Sequence, residues 1–176
     1  MKDCPEKPDT VRRARGSAAT DSGWKPVGLG AGVLAIGLTV YLVDRPSWQL
    51  AALFQDLFVV GGASFSFGRL GDHLPTFIHV FSLSLICAGL FARSRLGVVL
   101  VCGAWWLIDT CFEAFQHPAL HGLLAPILAS ENVVLAEINA FFANGTFDWL
   151  DLASIAAGGL SAFCALTLMN KRGETR

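Results

Sequence analysis

The chain has 176 residues, a formal net charge of −1, and charged side chains at only 15% of positions. Counting its 18 glycines with the hydrophobic residues brings the apolar share to about 63%, against roughly 45–50% for a soluble globular domain. A disordered chain and an electrostatic nucleic-acid binder are both disfavoured, because the first needs low hydrophobicity and the second a basic surplus. The mean hydropathy of +0.54 makes lipid the solvent for much of a single domain.

Residues 1–26 are polar and contain no apolar core of the kind a cleavable signal peptide requires, so they read as a flexible cytosolic tail. Four apolar runs then follow, at about 27–43, 74–92, 96–113 and 150–169, each long enough or nearly so to cross a bilayer as a helix. Gly28, Gly30, Gly32 and Gly37 in the first run, and Gly158 and Gly159 in the last, are ordinary in lipid, where small residues let helix backbones approach. The fold expected is an all-α polytopic bundle of four transmembrane helices, with residues 27–170 as the membrane domain and 171–176 as a second cytoplasmic tail.

A fifth apolar stretch, Gln49–Phe67, carries Asp56 and a Gly61-Gly62 break. Charge placement argues against a fifth span, because short cytoplasmic loops are enriched in Lys and Arg. Four spans with the N-terminus inside leave only Arg45 and Arg69 of the 13 basic residues outside. A full span at 49–67 would move Arg93, Arg95 and the C-terminal Lys171 and Arg172 to the outer side. The stretch therefore reads as an interfacial helix on the outer face, followed by a Gly-rich turn from Gly61 to Gly71. Over Asn132–Ala143, Val134, Leu135, Ile138, Phe141 and Phe142 share one helical face, which predicts a second outer interfacial helix.

This topology gathers the four histidines and most of the acids at the outer end of the bundle. Asp109, Glu113 and Gln116 line one face of the third span, about a turn below the boundary, where an unpaired carboxylate is expensive. His79 sits at similar depth in the second span and is expected to face Asp109 or Glu113, two carboxylates close enough to share a proton. Asp148 and Asp151 open the last span, where at least one should cap the helix. Arg69, Asp72 and His73 precede the second span and could complete a polar ring.

Metal and nucleophile signals are weak. Glu113, His117 and His121 fall at helical spacing, but Pro118 breaks that register, and the five cysteines form no zinc or disulfide pattern. No serine lies in a nucleophile elbow. Asn144-Gly145-Thr146 matches a glycosylation sequon, which as a single occurrence carries little. No metal or cofactor is expected, and no catalytic residue is assigned.

Taken in order, "LPTFIHVFSLSL", "WWLIDTCFEAFQHP" and "GTFDWLDLASIAAGGLSAF" resemble the VanZ-like family of small bacterial membrane proteins over Asp72–Phe163. The family's His falls on His79, its Glu-x-x-Gln on Glu113 and Gln116, and its acid-rich start of the last span on Asp148, Asp151 and Gly159. The family's Asp-Lys ahead of the His is Pro75-Thr76 here. The resemblance implies a helical protein of the bacterial inner membrane, in some members linked to reduced glycopeptide sensitivity, and the Lys and Arg distribution places both termini on the cytoplasmic side.

Three functions follow as expectations. One is an outward cavity, lined by Arg69, Asp72, His79, Asp109, Glu113, Gln116, Asp148 and Asp151, that binds a membrane lipid or lipid-linked envelope headgroup. The second is an intramembrane enzyme with Glu113 as acid/base, His79 as its partner and Arg69 as anion stabiliser. The third is a structural subunit with membrane-protein partners, and no nucleic acid is involved in any of the three.

Overall fold

The computed structural model describes residues 10–44, 67–129 and 132–174, with side chains described for 24–42, 67–129 and 132–170. The helix expected over Gln49–Phe67 lies, except for Phe67, outside the described residues, as do Asp56 and Glu131. Six helices and no strands make up the described residues: α1 (Thr10–Asp44), α2 (Arg69–Phe91), α3 (Arg95–Phe115), α4 (Pro118–Leu128), α5 (Val133–Asn144) and α6 (Trp149–Glu174).

Four of them contain stretches long and apolar enough to cross a membrane: Trp24–Leu42, Arg69–Phe91, Arg95–Phe115 and Trp149–Asn170. Apart from α1, the helical boundaries lie within a few residues of the apolar runs. That helix extends back to Thr10 and takes in Pro26, so residues 10–26, expected as a flexible tail, are helical. A proline withdraws one intrahelical hydrogen bond without ending a helix that packs elsewhere along its length. At the other boundaries local signals fix the ends. Gly68, at φ +57°, turns the chain into α2, and Ser94 caps α3 by accepting the Gly97 N–H at 3.1 Å.

The central element is α2, which packs against α1 on one side and against α6 and α3 on the other. The hairpin end of the bundle is its driest part, where Leu85, Ala88, Val98, Cys102, Ala162 and Leu166 form one buried cluster. Two glycines set the helix spacing. A Cβ on Gly30 would lie 2.8 Å from the Ser82 carbonyl oxygen of α2, and one on Gly158 would lie 2.6 Å from that of Phe77. Many large apolar side chains, among them Leu29, Ile36, Leu100, Leu107, Leu160 and Leu168, face outward. That distribution suits a bundle whose exterior is hydrocarbon.

Between α3 and α6, Pro118 starts a new helix instead of merely disturbing the old one. It occupies the first turn of α4, and His117 accepts the Ala119 N–H at 3.3 Å. Helix α5 starts at its Asn132 cap and lays Leu135, Ile138 and Phe142 inward, whereas Val134 and Phe141 are exposed. Phe142 packs its ring, tilted and edge-on, against Phe112 and Phe115 of α3, at centroid distances of 5.5 and 5.7 Å, which anchors α5 to the bundle end. A His121–Asn139 hydrogen bond of 3.0 Å ties α4 to α5.

Candidate functional site

The start of α6 is held by two neighbouring helices, α2 and α3. Asp148 caps it by accepting the Leu150 N–H at 2.8 Å. In a self-contained capping box the residue three past the cap reaches back to the cap's own N–H. Here that residue is Asp151, and it points elsewhere. Glu113, from α3, takes the Asp148 N–H on its Oε1 at 2.6 Å. Asp151 is thereby free to reach α2, where its Oδ1 lies 2.9 Å from His73 Nδ1 and accepts the Thr76 hydroxyl at 3.2 Å.

One turn deeper, His79 Nδ1 lies 2.8 Å from Asp109 Oδ2, linking α2 to α3. The expected pairing of His79 is therefore realised with Asp109 and not with Glu113. The two carboxylates, four residues apart on α3, have separate partners: one an imidazole, the other a backbone N–H. An acid/base couple between Glu113 and His79 lacks its hydrogen bond.

These groups border a cavity of about 580 Å³, set between α1 and α3 and floored by α2, with Ile155 of α6 at its base. Leu34, Leu38, Ile78, Trp105 and Ile108 make its walls predominantly apolar. Thr76, His79, Asp109, Glu113 and Gln116 form a polar row toward the end where α1 and α3 finish. Tyr41 stands at that end on the α1 side. Because α1 packs on α2 and not extensively on α3, the cavity is, among the described residues, a groove open between those two helices.

The groove brings together His79, Asp109, Glu113 and Gln116 of the predicted site residues. Asp148 and Asp151 stand behind it, holding Glu113 and Thr76 in place. Gln116 packs against Gly145, where a Cβ would collide with the side-chain amide. Arg69 and Asp72 are exposed on the first turn of α2, with no side-chain hydrogen bond or ion pair to any described residue. Arg69 lies a full turn beyond His73, and Asp72 is rotated from it by about 100°. Neither joins the row. Thr76, Tyr41 and Trp105 were not singled out by the sequence. They belong to residue types common on any membrane helix, and only the packing of α1 on α2 places them around one groove.

Among the described residues, no three His, Cys, Asp or Glu side chains stand together as metal ligands. His117 packs its ring on Phe147, and His121 is bonded to Asn139. No family model, curated protein or solved structure matches this chain.

Proposed function

We propose that this chain is an integral protein of the bacterial cytoplasmic membrane that holds the headgroup of a membrane amphiphile, a lipid or lipid-linked envelope precursor, in the groove between α1 and α3. The observation that carries this reading is the joining of an apolar trough and a polar row in one cavity that opens sideways between two helices. The stretch of α3 from Trp105 to Gln116 that lines it rises about 16 Å, half a hydrocarbon core, so a tail and a headgroup fit along one line.

Both termini are inside and the polar row faces outward in this proposal, an orientation supported by the excess of Lys and Arg that it leaves on the cytoplasmic side. The resemblance to the VanZ-like family agrees with an envelope role and extends it to glycopeptide sensitivity.

Retained lipid tests the reading. Leu38 lines the groove from α1, and Leu38→Trp should fill its mouth, whereas Leu160→Trp changes an exposed position on α6 that does not line it. In native mass spectrometry the parent protein and Leu160→Trp should keep a bound amphiphile that Leu38→Trp loses. Equal retention by all three would overturn the proposal.

A second reading, as an accessory subunit, is favoured by one observation. Gly28 and Gly32, four apart on α1, have no atom of the described residues within 4 Å of a Cβ position, so among the described residues this small-residue face is left to another helix. Co-purification of a partner at fixed stoichiometry, abolished by Gly32→Leu, would support it.

A further inference from the structure

The chemical class of the headgroup follows from which hydrogen-bonding atoms of the row are already committed. Thr76 has given its only proton to Asp151 and can offer just a lone pair. His79 has Nδ1 against Asp109, so the neutral ring donates there and presents Nε2 as an acceptor. Glu113 is 7% exposed, with Oε1 fixed by the Asp148 N–H, and Oε2 has no hydrogen-bond partner among the described residues. Gln116 directs its amide nitrogen to the Phe112 carbonyl at 3.5 Å.

The donors that line the groove, the indole N–H of Trp105, the Tyr41 hydroxyl and the Gln116 amide, are all neutral. No Lys or Arg is among the described lining residues. The row sets two carboxyl groups, Asp109 and Glu113, against one imidazole, so carboxyl oxygens outnumber basic groups along it. An anionic phosphate placed there would lie against two carboxyl groups with no Lys or Arg among the described lining residues to offset them. A primary ammonium carries three donors, no acceptor and a positive charge, and so meets what the row leaves open. Tyr41, Trp105 and Phe112 supply the aromatic side chains that attract cations.

We propose that the groove takes an amphiphile whose headgroup bears a primary ammonium, held by Asp109 and the free oxygen of Glu113. This rests on the amphiphile reading above and specifies its ligand.

The test uses the full chain in phosphatidylcholine nanodiscs with three photoreactive C16 probes, identical except for a terminal primary ammonium, phosphate or hydroxyl. Cross-links are mapped by peptide mass spectrometry. The ammonium probe should label the Trp105–Gln116 segment about tenfold more than either other probe. Excess unlabelled hexadecylammonium should suppress that labelling where hexadecyl phosphate does not, a comparison that needs no variant. Asp109→Asn should reduce it as well. Groove labelling by the phosphate or hydroxyl probe equal to or above that by ammonium would overturn the ammonium assignment and leave amphiphile binding intact. Labelling of the groove by none of the three would overturn both.

Discussion

The carboxylate of Glu113 on α3 closes the start of α6, accepting the backbone N–H of Asp148 at 2.6 Å across the bundle. A helix start normally satisfies that donor from within itself or from water. Borrowing the acceptor from α3 fixes the relative height of two spans at the polar end of the groove.

Replacing Glu113 should therefore separate two variants sharply. Glu113→Ala leaves the part-buried Asp148 N–H without its acceptor and empties buried side-chain volume, and should destabilise the protein by about 1–3 kcal/mol. Glu113→Gln retains a carbonyl oxygen at the same reach and should cost about 1 kcal/mol or less. Thermal unfolding in detergent, followed by circular dichroism, should rank parent, Gln and Ala in that order.

The His79–Asp109 contact couples α2 to α3, yet the imidazole is half exposed to the groove, so solvent screens the pair. A double-mutant cycle of His79→Ala and Asp109→Asn, read by the same unfolding transition, should give a coupling of about 0.5–1 kcal/mol. Purely additive losses would show that the two residues do not act together.

Glycines on α1 should respond according to what faces them. Gly30→Ala drives a methyl into the Ser82 carbonyl oxygen and should cost about 1–3 kcal/mol by pushing α1 from α2. Gly28→Ala meets no atom of the described residues and should be neutral or stabilising by up to about 1 kcal/mol. Melting temperatures of the two variants should move in different directions, or at least differ by several degrees.

Four spans place the α2–α3 hairpin and the α4–α5 segment on opposite sides of the bilayer. In a cysteine-free background, Arg93→Cys and Ala143→Cys, both at exposed positions, should react with an impermeant maleimide from opposite faces of oriented vesicles. Labelling of both from one face would remove the four-span arrangement and with it the location of the groove.

The four described spans were legible in the sequence because length and hydropathy mark each of them, whereas the reading of 49–66 as interfacial lies outside the described residues. The convergence of His79, Asp109 and Glu113 was also legible, since residues of similar depth on neighbouring helices have few directions in which to hide a charge. Their partners were not. Helical spacing assigns Asp109 and Glu113 to one face but says nothing of a main-chain N–H on α6, so the separate fates of the two carboxylates emerge only with packing. The extent of α1 before Val27 escaped for a different reason: hydropathy reports where a helix meets lipid, not where it begins. Arg69 was expected to help complete the polar ring, and its position one turn beyond His73 is a matter of helix geometry that composition does not encode.

The central claim, that the groove between α1 and α3 selects a membrane amphiphile, is tested most directly by capturing what lies against it. A photoreactive benzoylphenylalanine at Ile108, within the groove, and another at Leu160, on the exposed face of α6, can be irradiated in native membranes and their lipid adducts identified by mass spectrometry. The adducts at residue 108 should be dominated by one amphiphile class enriched over its share of the membrane, whereas those at 160 should mirror the bulk lipid. The same bulk composition at both positions would contradict selective binding in the groove.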